Sequence, residues 1–300
     1  MRVFVTGASG WIGSAVVPEL IAGGHQVVGL ARSDASAAAL ARAGAAVQRG
    51  TLDDLDSLRT GAAESDGVIH LAFRHDIAFS GSFALAAESD LRAVETIGAE
   101  LTGSDRPFVI ASGLAGFPAG RVTTERDLPA ADGPGGERTA ASKTALGLAA
   151  QGVRPSVVRL PPTVHGAGDP GFVATLVGIA RDKGVSGHIG DGSNRWPAVH
   201  RLDAAHLFCL ALERAPAGSV LHGIGDEGVP ICAVAEVIGR RLDLPVVSIP
   251  AEEASDHFGW LAGLIGGDLP ASSAITRGLL GWQPAHPGLI EDLDQGHYFA

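Results

Sequence analysis

Short apolar runs rich in Val, Ile and Phe recur through the first half of the chain, each followed by a longer stretch with amphipathic spacing. That alternation predicts βαβ units wound around a parallel sheet. Six strands are expected, at 2–6, 26–31, 46–49, 67–72, 108–112 and 156–160, with helices at 11–22, 36–43, 54–65, 83–101 and 138–151. Each connection is long enough for a right-handed crossover. The Ala-rich run after Asp34 reads as an ordinary helix start, with Asp34 suited to its N-cap. Beyond Pro161 the alternation weakens, and stretches such as Gly166-Ala167-Gly168-Asp169-Pro170 and Gly190-Asp191-Gly192 separate shorter helices. The expected fold class is α/β, a doubly wound parallel sheet of the Rossmann type over 1–160. A smaller C-terminal substrate lobe follows over 161–300, with a strand near 219–223 returning to the main sheet.

Composition removes several classes of function. Apolar residues make up 46% of the 300 and charged residues 18%, which supplies a large core and excludes a disordered chain. A formal net charge of −11 argues against the clustered Lys and Arg that nucleic acid requires, so the expected partner is a small molecule. Cys209 and Cys232 lack C-x-x-C spacing and lie in apolar helical patterns, so both are expected as buried free thiols in a reducing compartment. The first strand follows Met1 with no basic or apolar leader, and no apolar run reaches the ~18 residues of a membrane span. The expectation is a cytoplasmic protein without a membrane segment. No His, Cys or acidic cluster has ligand spacing, and His200 with His206 is not an H-E-x-x-H pair, so no metal is expected.

The strongest local signal is Thr6-Gly7-Ala8-Ser9-Gly10-Trp11-Ile12-Gly13, which leaves the first strand and opens a helix. In that context Gly7 allows a tight turn, Gly10 lets backbone approach a pyrophosphate, and Gly13 lets helix pack close to strand. Ser9, Trp11 and Ile12 join them as cofactor-binding candidates. At the end of the second strand a fold that selects NAD usually places an acid on the ribose 2′-hydroxyl, whereas here Ala31 is followed by Arg32 and Ser33. Arg32 could cap a 2′-phosphate and Ser33 add a hydroxyl, which favours NADP; an ordinary solvated arginine is the competing reading.

The T-G-x-x-G-x-x-G spacing resembles the short-chain dehydrogenase/reductase superfamily, and later motifs are similar to its extended or atypical, NAD-dependent epimerase/dehydratase-like branch. Gly50-Thr51-Leu52-Asp53-Asp54 resembles the G-D-L-x-D that holds adenine, which implies roles for Thr51 and Leu52. Val68-Ile69-His70-Leu71-Ala72 resembles the fourth strand, whose end, Leu71 and Ala72 here, lines the cofactor. Phe108-Val109-Ile110-Ala111-Ser112-Gly113 resembles the strand that carries the active-site Ser, and Arg159-Leu160-Pro161-Pro162-Thr163-Val164-His165-Gly166 the R-P-x-x-V-Y-G segment beside the nicotinamide. Val199-His200-Arg201-Leu202-Asp203 is similar to the V-H-V-x-D element. Helices 83–101 and 138–151 resemble those that pair across the family's dimer, which implies a homodimer.

Two stations depart from the pattern. Thr51 stands where the family has Asp and brings no charge to adenine. The family's Y-x-x-x-K falls on Thr139-Ala140-Ala141-Ser142-Lys143, so Thr replaces the general acid, and the chain's single tyrosine is Tyr298. An aliphatic hydroxyl does not titrate near neutrality, so a factor of about 10² to 10⁴ from acid catalysis is at stake. Lys143 still shares a helical face with position 139 and can hold the nicotinamide ribose. Arg74, His75 and His165 emerge at the carboxyl edge of the expected sheet, and His75 or His165 could supply the proton; His70, inside a strand, reads as a satisfied core residue. The segment Asn194-Arg195-Trp196-Pro197 should border the substrate cleft, with Trp196 as a flat wall or a filler between lobes and Arg195 as an anion contact. The leading expectation is an NADP-dependent oxidoreductase of a carbonyl/alcohol pair, with Ser112, Thr139 and Lys143 at the reacting centre. A non-catalytic NADP(H) sensor or scaffold and an epimerase or dehydratase remain alternatives.

Overall fold

A computed structural model describes residues 1–78, 81–114, 116–129 and 138–300. Twelve strands are described: β1 Arg2–Thr6, β2 Gln26–Ala31, β3 Ala46–Arg49, β4 Gly67–His70, β5 Pro107–Gly113, β6 Arg154–Leu160, β7 Thr163–His165, β8 Ser186–Ile189, β9 Arg195–His200, β10 Ser219–His222, β11 Asp226–Pro230 and β12 Val246–Ile249. The longer connections carry α1 Gly13–Ala22, α2 Asp34–Arg42, α3 Leu55–Ala63, α4 His75–Ala78, α5 Phe83–Leu101, α6 Thr139–Gly147, α7 Phe172–Lys183, α8 Arg201–Arg214 and α9 Ile231–Leu242. Seven strands form one parallel sheet in the order β10-β6-β5-β4-β1-β2-β3. The strands β1, β2, β4, β5 and β6 are buried on both faces, which is why they read as near-continuous apolar runs, whereas the edge strand β3 is largely exposed.

Two apolar layers cover the sheet. Val16 and Leu20 of α1 and Leu207 and Phe208 of α8 lie on one side. Leu58 of α3, Ile97 of α5 and Ala145 of α6 lie on the other. A third core, with Val177, Trp196, Ile238 and Leu293, belongs to a smaller lobe built on β11-β9-β7 and β12-β8. The chain leaves the large sheet after β6, forms part of this lobe, and comes back through α8 and β10.

Three expectations need correction. β4 stops at His70 rather than Ala72, because Leu71 and Ala72 turn their N–H groups onto the Thr6 carbonyl and hydroxyl, at 3.2 and 3.3 Å. The second helix starts at Asp34, not Ser36; Ser33 is its N-cap, accepting from the Ser36 N–H at 3.2 Å, and Asp34 sits in the first turn. Cys209 is buried, where desolvation pushes its thiol up, but Cys232 is only half-buried.

Candidate functional site

Two glycines of the turn after β1 leave no room for a side chain. Gly7 holds φ +67°, and a Cβ there would lie 2.7 Å from the Ala72 nitrogen. A Cβ on Gly13 would lie 2.1 Å from the Gly7 carbonyl oxygen, so α1 begins directly against the strand end. This bare backbone, with the unpaired N–H groups of a helix start beside it, fits the pyrophosphate of a dinucleotide. Trp11 fastens the turn to the smaller lobe: its Nε1 donates to the Val164 carbonyl at 2.8 Å, and the Arg201 guanidinium lies 4.2 Å from its ring centre. Ile12 is half-buried beside it and Ser9 is exposed.

The ends of β2, β3 and β4 form the rim next to this turn. Ser33 is committed to Ser36, and the Thr51 hydroxyl accepts the N–H groups of Asp53 and Asp54 at 3.3 Å, so both hydroxyls cap their own turns. Leu52 is buried in the core beneath. Arg32 is exposed and stands 3.7 Å from Asp76; Arg74 donates to Asp76 at 3.2 Å and to Asp53 at 2.8 Å. Leu71 and Ala72 are half-buried between rim and turn.

At the end of β5, Ser142 donates to Ser112 at 3.1 Å, which sets the first turn of α6 against the strand. Thr139 is the first residue of α6, half-buried, and Lys143 lies one turn on with its side chain exposed. Behind them runs a sealed polar chain. The Thr6 hydroxyl meets His70 Nδ1 at 2.7 Å, His70 Nε2 meets Asp90 at 3.1 Å, and the Asp90 carboxylate stands 3.9 Å from Arg138 Nε. Because the carboxylate can only accept, Nε2 carries the His70 proton and Nδ1 accepts from Thr6. The Arg138 guanidinium also covers the Phe73 ring at 4.1 Å and donates to the Ala111 carbonyl at 3.4 Å. His75 leans its ring on Phe73, and desolvation followed by the Arg138 charge pushes its imidazole below the usual value.

Sequence reasoning missed Asp90, Arg138 and Ser142 as parts of this assembly. Asp90 carried a legible signal: it falls on the buried stripe of α5 with Ala86, Ala93, Val94 and Ile97, where an acid demands a partner.

The remaining candidates have other partners. His165 is fully buried, with Nδ1 2.9 Å from Asp292 and its ring edge-on to His200. Trp196 is 2% exposed and packs against Phe172 in the core of the smaller lobe. Arg195 is held as a fork by Asp268, Nε to Oδ1 at 3.0 Å and Nη2 to Oδ2 at 2.9 Å. These two residues, with Asp191, Ser193 and Asn194, line an open depression of about 480 Å³. Tyr298 donates to Asp169 at 2.9 Å and accepts from the Gly166 N–H at 3.2 Å; burial and Asp169 push its phenol up, away from a useful acid. Pro161 and Pro162 turn the chain out of β6, buried and half-buried.

Between β5 and α6 the segment 116–129 is pinned to the sheet edge. Arg159 donates to the Asp127 carbonyl at 2.9 Å, and Glu125 accepts the Thr276 N–H and hydroxyl at 2.7 Å. His222 packs beside Arg159, and burial pushes its imidazole down to about 4. Among the described residues, His200, Asp203 and His286 bring ligand-type atoms within 4.8 Å of one another. Yet the two rings stack at 4.8 Å and 12°, and Asp203 accepts the N–H groups of Ala285 and His286 and faces His286 Nδ1 at 2.8 Å. Imidazole lone pairs lie in the ring plane, so near-parallel rings do not converge on one ion; the group anchors 285–286 to α8.

The sequence model of the NAD dependent epimerase/dehydratase family matches residues 3–222. The chain belongs to that family. It is 49% identical to an uncharacterized protein of Schizosaccharomyces pombe over 301 residues, covering 100% of both chains. It is 28% identical over 293 residues to a 4-hydroxy-2-methyl-3-oxo-4-farnesyl-3,4-dihydroquinoline-1-oxide ketoreductase of Stigmatella aurantiaca, covering 86% of this chain and 80% of that one. The UDP-glucose 4-epimerase of Thermotoga maritima, solved with UDP-glucose, shares the fold with a TM-score of 0.78 at 20% identity, over 100% of this chain and 98% of that one. No helix among the described residues is long and apolar enough to cross a membrane.

Proposed function

We propose that the protein is an NADP-dependent oxidoreductase that interconverts a carbonyl and an alcohol on a small molecule. The observation that supports this reading is the Ser142–Ser112 contact, which sets the first turn of α6, the helix that carries Thr139 and Lys143, against the end of β5. A reduced nicotinamide held by the glycine turn and Lys143 would supply the hydride for the carbonyl carbon. Ser112 donates a hydrogen bond to the substrate oxygen, and Lys143 holds the nicotinamide ribose through its ammonium. The proton that completes the alcohol comes from water, relayed by the Thr139 hydroxyl, with His75 as the nearby group able to titrate. Arg32 is the reason for preferring NADP, since no acid follows β2 directly to oppose a 2′-phosphate. The polar depression lined by Asp191, Ser193, Asn194 and Arg195 suits a polar substrate group.

A second reading, an NADP(H)-binding sensor or scaffold, draws on the commitment of the one tyrosine to Asp169. An epimerase or dehydratase meets the same shortage of a base. The separating experiment is a carbonyl-substrate screen with NADPH on the wild type and on Lys143→Ala. Turnover reduced at least ~10-fold in the variant supports the enzyme, and equal turnover overturns the role of Lys143. Binding of cofactor without turnover on any carbonyl favours the sensor. Thr139→Tyr is expected to raise the rate, because it restores a titratable phenol beside Lys143.

A further inference from the structure

The rim of charges at the ends of β2, β3 and β4 does more than the three strand ends require. Asp76 turns each carboxylate oxygen to a different arginine: Oδ1 accepts from Arg74 Nε at 3.2 Å, and Oδ2 faces Arg32 Nη1 at 3.7 Å. Arg74 reaches on to Asp53 at 2.8 Å, which Arg92 approaches at 3.8 Å and Ser89 caps at 3.2 Å. Among the described residues three guanidiniums therefore face two carboxylates, which leaves one positive charge in excess. Arg32, Asp76 and Asp53 are all more than half exposed, so their pairs are individually weak and exchange readily for another anion.

We propose that Asp76 is a built-in stand-in for the ribose 2′-phosphate, occupying Arg32 and Arg74 until that phosphate displaces it, and that Asp76 thereby sets how strongly the protein discriminates NADP from NAD. This rests on the reading above that the rim receives the adenosine end of NADP. A carboxylate bridging two guanidiniums presents two oxygens and one charge; a phosphate monoester presents three oxygens and close to two charges to the same donors. The exchange therefore gains charge-assisted contacts and neutralises the excess. A cofactor with a plain 2′-hydroxyl cannot displace Asp76 and leaves the bridge closed. Asp76 is ionised and able to compete at neutral pH, since its bond to Arg74 holds the carboxyl below its usual value. Arg74 becomes a second phosphate ligand beside Arg32, although it leaves a different strand.

The test is a titration of wild type, Asp76→Asn, Arg74→Gln and the double variant with NADPH and NADH, read by nicotinamide fluorescence. The same proteins are titrated calorimetrically with adenosine 2′,5′-bisphosphate and 5′-AMP. Removing the competitor in Asp76→Asn is expected to tighten NADPH and the bisphosphate about 10-fold, with NADH and 5′-AMP within about 2-fold. Arg74→Gln is expected to weaken the two phosphate-bearing ligands about 10-fold, and the double variant to lose the gain of Asp76→Asn. Equal tightening of all four ligands by Asp76→Asn would reduce the effect to general charge and overturn the proposal, as would unchanged NADPH binding in Arg74→Gln. Wild type that prefers NADPH with an unaltered NADPH/NADH ratio in Asp76→Asn overturns the stand-in and leaves the NADP reading intact. Wild type that prefers NADH, with the ratio moved toward NADPH in Asp76→Asn, does the reverse; binding of none of the four overturns both.

Discussion

At the rim where β2, β3 and β4 end, polar contacts are ion pairs open to solvent; at the neighbouring ends of β1, β4 and β5 they form a chain sealed from it. The rim pairs draw little stability, because water screens them and their long side chains lose entropy in pairing. Thr6, His70 and Asp90 have no water to fall back on, so each depends on the next, and the half-buried Arg138 closes the chain at its outer end. One end of the cleft is thus held by weak, exposed ion pairs, and the other by buried hydrogen bonds.

The contrast is broken most directly by Asp90→Ala, which strands the buried His70 and the half-buried Arg138 charge. A loss of about 3–5 kcal/mol is expected in chemical denaturation, and a loss below ~1 kcal/mol would place the sealed chain on a par with the rim. Next comes Gly13→Ala, whose methyl would meet the Gly7 carbonyl: about 1–3 kcal/mol or more and loss of nicotinamide-nucleotide binding, read by thermal melting with and without cofactor. A smaller, pH-dependent effect belongs to His222. Its imidazole stays neutral in the folded protein down to about 4, whereas the unfolded chain takes up a proton near 6.5. Unfolded molecules bind more protons in that window, so stability falls as pH drops from about 6.5 to about 4. His222→Gln should flatten that slope in denaturation curves taken across the range. The smallest effect is expected for Arg74→Ala, under ~1 kcal/mol by denaturation; a larger loss would show the rim to be structural after all.

Much of the frame was legible because it obeys local rules. The glycine turn, the strand alternation and the helix Phe83–Leu101 each follow from neighbours in sequence. The misjudged ends have equally local causes, an N-cap at Ser33 and the diversion of two N–H groups to Thr6. The sealed chain was illegible for a different reason. Residues 6, 70, 90 and 138 are joined only by the tertiary fold, and no short window of sequence holds two of them. Arg195 and Trp196 fall in the same class: their spacing suggested a cleft, but Asp268 and Phe172, which decide what they do, arrive from elsewhere in the chain.

The return of β10 to the large sheet bears on how the protein is made. Until Ser219–His222 emerges, β6 is a bare edge whose unpaired N–H and C=O groups can template the wrong strand. On a ribosome, roughly sixty residues separate the two strands, a delay of several seconds at ordinary synthesis rates. A nascent chain, or a fragment cut after Leu160, therefore carries an adhesive margin that the finished protein hides beneath four residues.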